Sequence, residues 1–173
     1  MITRGRGRGS FVLLLGAGLA AWGCRGSAAV APGPTWLAAK PEAQVRQLET
    51  HLRGFDVAML ETGHRYVELY WAGRDGNWEA AAYQVEKIRL AIENGLERRP
   101  RRVASAWPFV TGPLAAMRGA LAARDPELFA ARFEELTEGC NACHAAERVA
   151  FFEVHPPASR VSPIRREPGA AGE

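Results

Sequence analysis

The 173 residues include only three cysteines, too few for the dense disulfide framework that small secreted domains use in place of a core. Nor does the chain offer a convincing membrane span: Phe11–Trp22 is uncharged and largely apolar, but its 12 residues fall well short of the ~20 that crossing requires. Alternation of apolar and polar residues with period 2 is nearly absent, which argues against a sheet-based fold. There is no internal repeat, and no second Cys or His pair stands at the spacing of a structural zinc site. The net charge of +3 says little about partners. Removing Arg4, Arg6 and Arg8, which lie in an N-terminal segment of their own, from the 22 basic residues leaves 19 against 19 acidic. A neutral body removes the electrostatic case for nucleic-acid binding, whose affinity comes mostly from neutralising phosphates.

Hydrophobic residues make up 47% and charged residues 24%, an ordinary globular balance, and the length suits one domain. Residues 1–23 have the parts of a secretory signal: the positive Arg4-Gly5-Arg6-Gly7-Arg8, the apolar Phe11–Trp22, and Arg25 closing the stretch. The arginines alternate with glycine and never pair, so a twin-arginine route has no support. Ala21-Trp22-Gly23-Cys24 resembles a bacterial lipoprotein cleavage site, which would leave a lipid anchor on Cys24. It departs from that pattern in having Ala21 where leucine is usual, with a bulky Trp22 next. Ordinary cleavage after Ser27-Ala28-Ala29 is the alternative and would discard Cys24. Either route exports the protein, so a periplasmic location is expected, membrane-anchored in the first case. Residues 24–40, with Ala31-Pro32-Gly33-Pro34-Thr35, read as a linker into a folded domain over 41–152, and 153–173 as an irregular tail.

Within the domain, helical spacing dominates. Val45, Leu48, Leu52, Phe55, Met59, Thr62, Tyr66 and Leu69 step by 3 and 4, which predicts one long helix over 41–72 in which only Thr62 breaks the apolar stripe. Gly54 and Gly63 lie inside it and mark kinks or close approaches. After the turn Gly73-Arg74-Asp75-Gly76, Asn77 caps a second helix that faces inward with Trp78, Ala81, Val85, Ile88 and Ile92 and has Gly95 as candidate C-cap. A third segment holds Trp107, Phe109, Val110, Leu114, Met117 and Leu121; Pro108 and Pro113 divide it into a short piece and a helix starting near Thr111–Pro113. Asp125-Pro126-Glu127 opens a fourth helix with an N-cap, a proline at the first position and an acid at the positive helix end. Four amphipathic helices on short connections give an all-α fold, an antiparallel four-helix bundle by default.

The string Cys140-Asn141-Ala142-Cys143-His144 carries the chemistry. Cys-x-x-Cys-His is the attachment motif of c-type haem. On a helix, positions three apart project to one side, so two thiols can form thioethers with one porphyrin while the adjacent histidine reaches the iron. A thioredoxin-type dithiol would want a βαβ context that is missing here, and a plain disulfide would need neither the histidine nor the helix. One covalent haem c is therefore the expected cofactor, on the C-terminal helix.

This motif on the last helix of an exported bundle resembles the cytochrome c′ group of class II c-type cytochromes. Arg148, four residues after the histidine, is similar to the basic residue of that family's motif, and Leu69-Tyr70-Trp71-Ala72-Gly73 through Asn77-Trp78 looks like uncharacterised bacterial relatives of the group. The resemblance covers roughly residues 40–150; helix one is longer than the family's and a proline-rich tail follows the haem helix. It implies His144 as proximal iron ligand and thioethers at Cys140 and Cys143. Cytochromes c′ often pair through their first two helices, so a homodimer is admitted, although helix one has no second apolar stripe to demand it.

The sixth iron position decides between functions. Met59, on the inward stripe, would give the Met/His ligation that favours electron transfer to a redox partner protein; the plain alternative is core packing, which applies to Met117 as well. The resemblance to cytochromes c′ implies instead an open apolar site covered by a bulky side chain, here Phe55 or Leu52, that would take a small gas ligand, nitric oxide or carbon monoxide. His51 and His64 read as solvated, and His155 lies in the tail, where it could fold back over the haem edge. A peroxidase needs a distal acid–base group, for which His64 is the one candidate, so the chain reads as a non-enzyme. Trp71, Trp78, Trp107, Phe129 and Phe133 read as core and pocket packing, and Glu134, Glu135 and Glu138 as a solvated face. The arginines at 98, 99, 101 and 102 read as a solvated connection.

Overall fold

The structure, a computed structural model, describes Leu37 and residues 40–165. The expected signal segment, Cys24, most of the linker and residues 166–173 lie outside the described residues. The rest is all-α: α1 (Pro41–His51), α2 (Phe55–Arg74), α3 (Trp78–Arg98), α4 (Val103–Thr111), α5 (Pro113–Ala123) and α6 (Pro126–Ala146). A single 3-10 turn, Pro100–Arg102, joins α3 to α4, and no strand occurs among the described residues.

Local chemistry explains most boundaries. The Asn77 side chain accepts from the Ala80 N–H to start α3, and Asp125 accepts from the Glu127 and Leu128 N–H groups to start α6. Pro113 sits in the first turn of α5, where its missing N–H costs nothing. Pro108 is tolerated inside the short α4.

The long first helix is the main correction. It breaks at 52–54 into α1 and α2, because Arg53 turns left-handed (φ 59°) and Gly54 is extended, with its N–H donated to Asp56 Oδ1 at 3.1 Å. Arg53 also pairs with Asp56 across the break. Val45, Leu48 and Leu52 are exposed and α1 buries no residue, so the front of the apolar stripe meets no core. Gly95 is corrected too. It lies inside α3, which continues to Arg98, at a close approach where an added Cβ would stand 2.7 Å from the Ala58 Cβ. Glycine is there to let α2 and α3 touch.

These contacts fix the directions. Gly95, late in α3, meets Phe55 and Ala58, early in α2. Gly73, late in α2, meets the ring of Phe129, early in α6. Gly139, late in α6, meets Pro113 at the start of α5. Arg118 of α5 and Arg124, the residue that caps it, pair with Glu86 and Glu79 of α3 in reversed order. So α2, α3, α5 and α6 pack side by side, each antiparallel to its neighbours, with α4 laid against α5 and α6. Leu69, Val85, Ile88, Leu114, Met117, Phe129 and Leu136 are fully buried between them. At ~25 cal/mol per Å2 of apolar surface, each larger side chain contributes about 2 kcal/mol of burial. Met117 is thus a core residue. No helix among the described residues is long and apolar enough to cross a membrane.

The tail has neither helix nor strand, but it is held in place. Past α6, Arg148 adopts φ 60°, the Arg148 N–H donates to the Ala145 carbonyl and the Val149 N–H to the His144 carbonyl, closing the helix with paired C-cap bonds. The chain then doubles back. Arg160 bonds Asp75 at 2.6 Å and the Trp71 carbonyl at 3.3 Å, and its guanidinium lies 4.7 Å from the Trp71 ring centroid.

Candidate functional site

A cavity opens where α2, α3, α4 and α6 converge, and the doubled-back tail forms part of its wall. It holds about 110 Å3, or about 590 Å3 with its open mouth, and its walls are overwhelmingly apolar. From α2 come Phe55, Met59, Thr62, Gly63 and Tyr66, residues that share one face of the helix. From α6 come Cys140, Cys143 and His144. Ile92, Ala106, Phe109 and Val154 complete the lining. Four sequence-predicted site residues, on two helices about 80 positions apart in sequence, are therefore brought to one cavity.

The motif places its groups by helix geometry. Cys140 and Cys143 stand three apart on α6 as free thiols, both half-buried. Burial, seconded by Cys143, pushes the Cys140 thiol up to about 12. Cys143 is raised as well, by burial and then by Glu147, against the pull of Arg102. Protonated thiols are poor nucleophiles and poor redox reagents, so this pair does not have the depressed pKa of a working dithiol.

His144 is oriented by a bond that the sequence did not show. Its Nδ1 lies 2.6 Å from the Phe152 carbonyl oxygen. A carbonyl can only accept, so Nδ1 carries a proton and, in the neutral imidazole, Nε2 is the nitrogen left for another partner. Histidines that bind metals are held in this manner, by donating the second ring N–H to a carbonyl or carboxylate. Among the described residues, no group of three or more His, Cys, Asp or Glu side chains converges as a cage for a bare metal ion. The donor set here is one imidazole, two thiols and the Met59 thioether in an apolar setting, which fits a haem better than a free cation.

Comparison with known proteins finds no matching family model, curated protein or solved structure.

Two hydroxyls face each other's needs differently on the α2 wall. Tyr66 lies 2.6 Å from Thr137 Oγ1, which itself donates to the Phe133 carbonyl at 2.8 Å, so Tyr66 is the donor. Burial pushes the Tyr66 phenol up to about 12, and it stays neutral. Thr62 is different: its Oγ1 is buried with no partner. Thr50, Thr111 and Thr137 each bond the carbonyl four residues back, and Thr62 does not. It was the one break in the apolar stripe. That break was the available signal, since a polar residue on an inward face needs a partner or a purpose. Gly63 beside it has nothing within 4 Å of an added Cβ, so this part of the wall has room.

The remaining candidates fall outside the cavity. His51, His64 and His155 are exposed, with His155 Nε2 3.6 Å from Glu153. Leu52 is exposed, so of the two bulky covers only Phe55 lines the cavity. Trp107 is 46% exposed and contributes little packing, contrary to expectation, because α4 turns it outward. Arg102 is no free solvated charge: it pairs with Glu147 and lies 5.6 Å from the Phe55 ring, at the edge of the site.

Proposed function

We propose that this chain is an exported monohaem c-type cytochrome, related to the cytochrome c′ group, in which an antiparallel four-helix bundle of α2, α3, α4–α5 and α6 carries haem c. In this reading Cys140 and Cys143 would hold the haem through two thioethers, and His144 Nε2 would bind its iron. The observation that carries it is the Nδ1–H bond from His144 to Phe152, which leaves Nε2 free on a histidine that lines the cavity together with both thiols and Met59. The haem would supply an iron that alternates between ferrous and ferric states. The chain's own residues would line its site with apolar side chains, orient the imidazole and offer the Met59 thioether from the facing helix. That donor pair supports electron transfer with a redox partner protein. The protein is not an enzyme in this reading. Its place is the periplasm, with a lipid anchor if Cys24 is retained, and pairing through its first helices would make a homodimer.

A second reading, gas binding, is favoured by one observation: the unpaired Thr62 hydroxyl one turn from Met59. That hydroxyl would suit a small gas held at the haem in place of the thioether. The deciding experiment is the absorption spectrum of protein exported from a host with c-type haem maturation machinery, reduced, with and without carbon monoxide. A sharp low-spin α band that carbon monoxide leaves alone supports electron transfer. A broad spectrum that shifts supports gas binding, and absence of covalent haem overturns both.

A further inference from the structure

The middle of the motif, Asn141, is not a free spacer. Its side-chain amide clasps the main chain of one tail residue at both ends: Nδ2 donates to the Val154 carbonyl at 2.9 Å, and the Val154 N–H donates to Oδ1 at 2.8 Å. A primary amide has the donor and acceptor needed for this, whereas aspartate lacks the donor and leucine lacks both. Two residues earlier in the same tail is Phe152, whose carbonyl accepts from His144 Nδ1. That stretch has no helix or strand of its own to hold the carbonyl in position. Its other nearby attachments are the turn bond from the Phe152 N–H to the Val149 carbonyl and the packing of Val154 against the core.

We propose that Asn141 is a positioning residue for His144: by clasping Val154 it holds the Phe152 carbonyl against Nδ1 and so fixes which imidazole nitrogen is free. The tail then belongs to the site, since it supplies the atom that sets the histidine. The half-exposed His144 would otherwise share its Nδ1–H with water. The consequence for a bound iron rests on the haem reading above, but the proton's position does not. Loss of a neutral hydrogen bond of typical net strength changes a local equilibrium by roughly fivefold.

The test uses the full chain with 15N-labelled histidine, expressed without haem maturation, and reads the two ring nitrogens of His144 by NMR on the neutral imidazole. Wild type should show the proton on Nδ1. Asn141→Leu, which favours the helix more than asparagine does, should lower the ratio of Nδ1–H to Nε2–H roughly fivefold. Asn141→Asp keeps the acceptor for the Val154 N–H and should fall between the two, and it reads the same question if the leucine variant does not fold. In haem-loaded protein the leucine variant should have a raised reduction potential, because an imidazole relieved of its acceptor is a weaker donor to ferric iron. An unchanged nitrogen ratio in both variants overturns the proposal and leaves Val154 packing as the tail's anchor. Failure of the haem reading would look different: no covalent haem in the wild type, with the effect on the nitrogen ratio intact.

Discussion

Cys140 should be a very weak acid and a slow nucleophile in the haem-free chain. Burial first, then Cys143, moves its thiol from 9.0 up to about 12. Only the thiolate attacks an alkylating reagent. At pH 8 an ordinary thiol is about one-tenth ionised and one near 12 only about one part in ten thousand, so iodoacetamide should label Cys140 roughly a thousandfold more slowly than an open thiol. Cys143, raised by burial and Glu147 but relieved by Arg102, should react before it. Timed quenching followed by peptide mass spectrometry separates the two sites. The same shift has a pH consequence with a definite sign. The unfolded thiol ionises at its ordinary value while the folded one does not, so the stabilisation is complete below pH 9.0 and is lost as pH rises toward about 12. The melting temperature of the haem-free chain should therefore decline across that interval. Rapid labelling of Cys140 in the folded chain at pH 8 would refute the reasoning, and would return the pair to consideration as a working dithiol.

Three substitutions probe the α2 wall. Tyr66→Phe removes the buried donor to Thr137, and should cost about 1–2 kcal/mol, read as a melting temperature about 3–8 °C lower; no change would mean the bond contributes nothing. Thr62→Val removes a buried hydroxyl that has no partner, so thermal denaturation of the haem-free chain should show about 1 kcal/mol of added stability; in haem-loaded protein the gas-binding reading expects carbon monoxide to leave this variant several times faster, in flash photolysis. Met59→Ala should convert a low-spin ferrous spectrum into one that responds to carbon monoxide, and an unaltered spectrum would remove Met59 as a ligand.

Much of this architecture could be read from local chemistry. Asn77 and Asp125-Pro126-Glu127 announce helix starts because a cap is a contact between near neighbours in the chain, and the structure uses them as written. The motif on α6 and Met59 on the α2 stripe could be placed for a similar reason: helical periodicity decides which residues share a face. Gly54 signalled a kink near 52–54 but not a full break, because the apolar stripe runs through it in register and nothing marks Arg53 as left-handed. Gly95 was ambiguous, since a glycine near a helix end serves equally as a stop or as a notch for another helix, and only the position of Ala58 decides. The clasp by Asn141 and the reach of Arg160 to Asp75 were illegible for the opposite reason to the caps: they join residues that meet only once the helices have packed.

The doubled-back tail also bears on the order in which the molecule comes together. The α2–α3 hairpin closes through a turn at 75–77, a short loop with little entropy to lose. The Tyr66–Thr137 bond spans 71 positions and the Arg160–Asp75 bond 85, so neither can form until most of the chain is in place. Contacts of such separation come late in folding. Val154 and the Phe152 carbonyl, which finish the cavity and set its histidine, meet Asn141 and His144 across only 13 and 8 positions, so they can dock on α6 before that closure. By the same reasoning the Arg160–Asp75 pair is the part of the tail that opens first. Amide exchange should therefore be faster across 155–160 than in α2 and α3, the end of the tail loosening while the helices stay intact.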